Sequence, residues 1–90
     1  MPDWVMDPWA VPHSVDDLAN REAWRHAGHG IGELAADLEP AMCKRISETE
    51  YFCVAEIRAG DHHPAYQVEM TIYSPADGEP HVTDVRLRRR

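Results

Sequence analysis

The residues best suited to chemistry in this chain are Glu22, His26, His29 and Glu33. On a helix their spacing gathers them on one polar face. Imidazole and carboxylate ligands suit Zn²⁺ and other first-row ions, so His26 and His29 are the candidate metal ligands, with His62 and His63 on a turn as further donors. A lone solvated helix instead uses such residues in i,i+4 Glu–His pairs and binds metal weakly. Two such faces brought together in a dimer would make a four-ligand site. Cys43 stands beside Lys44 and Arg45, which favour a thiolate, but no base adjoins it in sequence. Cys53 alternates into the expected core. The N-terminal residues lack the basic and apolar regions of an export signal, so free buried thiols are expected in preference to a Cys43–Cys53 bridge. There is no G-x-S-x-G, P-loop or G-x-G-x-x-G, and the glycines of Gly28–Gly32 lack the spacing and the preceding strand of a phosphate cradle. No catalytic set assembles, so the expectation is a protein that is not an enzyme and holds no resident cofactor.

Residues Ala23-Trp24-Arg25-His26-Ala27-Gly28-His29-Gly30 resemble, over eight positions of the chain, the A-x-H-E-A-G-H-A helix of membrane-associated AAA-type zinc peptidases. Arg25 stands where that pattern has its first zinc histidine, and His26 where it has the general-base glutamate. Only His29 matches a ligand. The peptidase chemistry needs two imidazoles one turn apart and a carboxylate to activate water, so the resemblance carries no activity across.

The charge is lopsided. Residues 1–85 hold all 16 acids against five bases, and the last five residues add four arginines, for −7 overall. An acidic body repels nucleic acid and attracts basic protein surfaces before contact. The basic tail has no aromatic platform interleaved with it, and its arginines are expected to pair with sheet carboxylates. No apolar run approaches the ~20 residues of a membrane span. A cytoplasmic protein is expected, with no membrane partner and no direct nucleic-acid partner.

Ninety residues make one domain with a thin core. Residues 1–13 read as an extended arm, interrupted by Pro2, Pro8 and Pro12 and carrying Trp4 and Trp9. Such an arm folds back on its own body or docks on a second chain. Residues 14–90 form the α+β body. Residues 15–38 read as a helix with Ser14 as N-cap and Asp16 and Asp17 in its first turn. Its apolar stripe is Ala23, Trp24, Ala27, Ile31, Leu34, Ala35 and Leu38, with Asp37 on the polar side. Gly28, Gly30 and Gly32 each cost about 1 kcal/mol in a helix interior and mark a break or kink near Gly30 or a close approach of another backbone, and Pro40 ends the helix or starts a short extra turn through Met42. Alternation then predicts strands over 50–59, 65–74 and 81–89, joined by turns at Ala59–Pro64 and at Ser74–Pro80, the latter centred on Asp77–Gly78. The expected fold is one amphipathic helix on a three-stranded antiparallel meander, with Glu69 across from an arginine of the last strand. Its order is similar to part of a double-stranded-RNA-binding domain, without that domain's second helix or its basic N-terminus.

These features favour a small acidic protein-interaction module. In size and charge it is similar to phage-encoded inhibitors of defence nucleases, anti-CRISPR proteins among them, and to immunity proteins that block toxin nucleases. The expected partner is a protein with a basic surface, and the expected contacts are Trp4, Trp9, Asp16, Asp17, Glu22, Glu33 and Asp37. Two alternatives are a structural subunit or homodimer held by the Trp arm, and a small metal-binding protein using His26 and His29.

Overall fold

The computed structural model describes residues 2–30, 37–38, 40–58 and 65–89. Within them lie helices α1 (Asp3–Met6) and α2 (His13–Gly30) and strands β1 (Asp37–Leu38), β2 (Met42–Arg45), β3 (Glu50–Arg58), β4 (Ala65–Tyr73) and β5 (His81–Arg89).

The arm is not extended throughout. One helical turn, α1, fits between Pro2 and Pro8: the Pro2 carbonyl accepts from Val5 N–H at 3.1 Å, and Asp3 carbonyl from Asp7 N–H at 3.0 Å. Proline excludes helix from its interior but not from the residues that follow it. The same physics corrects the start of α2. The Pro12 carbonyl accepts from Val15 at 3.0 Å and Asp16 at 3.3 Å, so Pro12 occupies the cap position and Ser14 is already helical.

α2 buries Val15, Ala19 and Ala23, each 0% exposed. Their four-residue spacing makes one narrow stripe of small side chains, which lets the helix lie close on the sheet. The stripe expected from sequence is displaced: Trp24 is 60% exposed. Nor does helix reach residue 38, because Asp37–Leu38 is strand. The helix is described as far as Gly30. Ile31, Leu34 and Ala35 of the expected stripe, and the Ala27 and Leu38 side chains, lie outside the described residues.

The sheet is antiparallel and five-stranded, not three-stranded. β3, β4 and β5 form the expected meander, with Glu50↔Tyr73 through Arg58↔Ala65 in the first pairing and Tyr66↔Arg89 through Tyr73↔His81 in the second. The other edge of β3 carries β1 and β2 end to end, with Asp37↔Arg58 and Leu38↔Ile57, then Met42↔Val54 through Arg45↔Tyr51. Pro40 and Ala41 therefore start no extra helical turn; they lead into β2, which begins at Met42. Four residues reading Met-Cys-Lys-Arg hold too little apolar alternation to announce a strand.

α2 covers one face of the sheet. Tyr51, Cys53, Ala55 and Ile57 of β3 and Val68, Met70 and Ile72 of β4 are all at most 3% exposed there. Burying a side chain such as Ile57 or Ile72 contributes about 1.5–3 kcal/mol. On β5 the register shifts between Thr71 and Ile72, which pair with Asp84 and Val82. Thr83 is the extra, bulged residue, and its hydroxyl donates to Thr71 carbonyl at 3.3 Å. Val82 and Val85 are half-buried, while Leu87, two residues beyond Val85 on the outermost strand, is 40% exposed. The opposite face of the sheet carries Phe52, Val54, Glu69 and Arg86.

Candidate functional site

The end of the molecule where the arm meets β2 gathers most of the chemistry. β2 and β3 form a hairpin around Ser47–Thr49, closed by Ile46 N–H donating to Glu50 carbonyl at 2.9 Å. In an antiparallel ladder, hydrogen-bonded and non-hydrogen-bonded pairs alternate from such a closure. Cys43↔Cys53 and Arg45↔Tyr51 then fall on the non-hydrogen-bonded pairs, where backbones approach most closely. The Cα atoms of Cys43 and Cys53 are 4.0 Å apart, and the two sulfurs are bonded. The expected free thiols are thus replaced by a disulfide. Cys43 has no thiolate to offer as nucleophile, whatever the charge of Lys44 and Arg45. The register dictates this result, and it is visible only once β2 is a strand.

A residue at a non-hydrogen-bonded position turns its own N–H away from its partner strand. Arg45 N–H accordingly points off the sheet edge and donates to Pro8 carbonyl at 2.7 Å. Its guanidinium donates from Nε to Ser47 carbonyl at 3.1 Å and from Nη2 to Glu48 carbonyl at 2.7 Å. Its Cζ stands 5.4 Å from the Trp4 ring centroid and 5.6 Å from that of Tyr51, within cation–π range of both. One arginine therefore ties together the arm, the hairpin loop and the core tyrosine. The arm docks on its own body, and Trp4 is half-buried there.

Trp9 is different. It is 58% exposed and lines a shallow depression with Val11, Asp16, Ala41, Met42 and Cys43. Asn20 links two of the residues that line it. Its Oδ1 accepts from Ala41 N–H at 2.8 Å and its Nδ2 donates to Asp16 carbonyl at 2.9 Å.

Of the residues singled out from sequence, Trp4, Trp9 and Asp16 come together at this end. Asp17 is exposed further round α2, 3.9 Å from His13 Nε2. Glu22 is occupied by Arg25 at 3.4 Å and His26 at 3.6 Å, its side chain 19% exposed. The His29 and Asp37 side chains and all of Glu33 lie outside the described residues, as do His62 and His63. Among the described residues no group of three His, Cys, Asp or Glu is placed to hold a metal ion. A second depression, lined by Ser14, Asp17, Leu18, Arg21, Glu79 and Pro80, mixes both signs of charge and presents no nucleophile–base pair. Sequence reasoning missed Arg45 and Asn20, whose roles depend on contacts distant along the chain. The cysteine spacing did carry a signal: Cys43 and Cys53 are equidistant from Glu48, the centre of the hairpin loop.

No known family matches the sequence, and no curated protein or solved structure matches the chain. No helix among the described residues is long and apolar enough to cross a membrane.

Proposed function

We propose that the protein is a non-enzymatic interaction module that binds a basic, nucleic-acid-contacting surface of a larger protein and antagonises it, as anti-CRISPR and immunity proteins do. The observation that carries this reading is Trp9, exposed beside Met42 and Asp16 on the arm that also bears Asp3 and Asp7. Tryptophan is enriched among the residues that dominate interface energies. Carboxylates around it select and steer a positively charged surface. Asp3, Asp7, Asp16, Glu48, Asp77 and Glu79 take part in no ion pair among the described residues, so their charge is available to a partner. Arg45 holds the arm in place before any partner arrives, which lowers the ordering cost of binding.

The reading places the protein in the cytoplasm, among nucleic-acid-binding proteins. Thiol reductants there oppose disulfides. The exposures of Cys43 and Cys53, 5% and 0%, shield the bond from thiolate attack, which requires access to sulfur.

The test is calorimetric titration into a panel of purified RNA-guided and toxin nucleases, with nuclease activity as second readout. We expect binding to at least one that inhibits it, weakens at least tenfold between 50 and 300 mM NaCl, and falls at least tenfold in Trp9→Ala and in Asp16→Asn. Absence of binding across the panel, or binding indifferent to salt and to Trp9, overturns the reading.

A further inference from the structure

We propose that the open face of the sheet, opposite α2, is the docking surface for a second copy of this chain. Phe52 at 37% exposure, Tyr73 at 36%, Met42 at 66% and Ile46 at 47% fall on this face by strand alternation, around half-buried Val54. Two-residue periodicity puts side chains i and i+2 on one side, and their register partners across β4 and β5 are Thr71, Glu69, Asp84 and Arg86. An apolar centre bordered by polar groups is the anatomy of a protein interface.

The charges on this face identify the occupant. Arg88 Nε lies 2.9 Å from Glu69, Arg86 Nε 3.4 Å from Asp84, and Arg58 Nε 3.3 Å from Glu56. Lys44 and Glu50 add one charge of each sign. Among the side chains described on it the face is therefore balanced, on a chain that carries −7 overall. Two copies repel each other through most of their surface, but not through this part of it. A basic partner gains no steering from a neutral face and belongs at the acidic arm. A second neutral, apolar face is the complementary surface, and the same face of another copy supplies it through a two-fold axis. The extent also fits. Nine-residue strands run about 30 Å and four strand positions span about 15–20 Å, a footprint whose side-chain relief brings it toward the ~800 Å² per partner of a standard interface. Two such sheets would stack about 10 Å apart, side chains interdigitating.

The proposal does not depend on the Trp9 reading: the two surfaces share only Met42, and the disruptive variants that test this one, at Phe52 and Thr71, lie outside the Trp9 depression. Sedimentation velocity from 1 to 200 µM should show a monomer–dimer equilibrium that tightens between 50 and 500 mM NaCl, as screening removes the repulsion of the acidic bodies. This is the opposite salt response to that expected of partner binding. Phe52→Glu and Thr71→Lys should each weaken the dimer at least tenfold with the far-UV circular dichroism unchanged, while Trp9→Ala leaves its Kd within twofold. If Phe52→Glu does not fold, Thr71→Lys decides alone. A monomer at 200 µM in both salts overturns the proposal. So does a dimer that survives Thr71→Lys, or one that Trp9→Ala abolishes.

Discussion

The two edges of this sheet are managed by opposite means. The β2 edge is covered: the arm lies on it through the Arg45–Pro8 hydrogen bond and the Trp4–Arg45 contact, and a disulfide ties β2 to β3. Among the described residues the β5 edge is bare, and its nine residues carry a bulge at Thr83 and arginines at 86, 88 and 89. Bulges and edge charges are how sheets discourage unwanted strand pairing. A nine-residue strand already held along its inner side tolerates that solution. β2 has only four residues, so its own ladder is weak, and its position rests on contacts from elsewhere in the chain. Cross-links and caps belong where a strand is short, and charge suffices where it is long.

That contrast can be broken from the β2 side with the largest effect. Replacing both cysteines, as Cys43→Ala with Cys53→Ala, removes a constraint on the unfolded chain worth about 3 kcal/mol for a loop of this size. Urea denaturation should show the loss. Native-state hydrogen exchange should show amides of β2 and the arm exchanging faster while β4 keeps its protection. Equal acceleration in β4 and β5 would mean that the two edges do not differ as argued.

Arg45→Ala should follow, at about 1–2 kcal/mol, because it removes two hydrogen bonds to loop carbonyls and two cation–π contacts. Its specific signature is at Trp4: the indole emission should shift red as the ring gains solvent, and proteolysis within the arm should accelerate. A stability loss without change at Trp4 would show that Arg45 serves the loop and not the arm.

The smallest effect is expected on the β5 side. Arg88→Ala removes the 2.9 Å contact to Glu69, whose side chain is 19% exposed against 61% for Arg88. Ion pairs so open to solvent are worth about 0.2–1 kcal/mol. A loss above 2 kcal/mol in urea denaturation would show the bare edge to be as dependent on its side chains as the covered one.

Legibility followed the same division. β3, β4 and β5 could be placed to within a residue because Tyr51, Cys53, Ala55 and Ile57, then Tyr66, Val68, Met70 and Ile72, each alternate over seven positions. The Glu69–arginine pair followed from that register, although Arg88, diagonal to Glu69, makes the contact and not its direct neighbour Arg86. α2 was legible as a helix but not in its limits or its stripe. Trp24 lies about 140–180° round the helix from Ala19 and Val15, so only one of the two sides can face the sheet, and the sheet accepted the narrower side chains. At the candidate site, Trp4, Trp9 and Asp16 could be named as individuals. Nothing in their spacing showed that they share one end of the molecule.

The sequence by itself determined the class of fold, the three long strands, the acidic character and the lack of a recognisable catalytic motif, because periodicity and composition are local or summed properties. Only the tertiary structure decided that β2 is a strand, that Cys43 meets Cys53, that Arg45 clasps Trp4 and that Trp9 stays exposed. Each of these depends on which backbone edge faces which segment, and that is settled by hydrogen-bond register and packing between residues far apart in the chain.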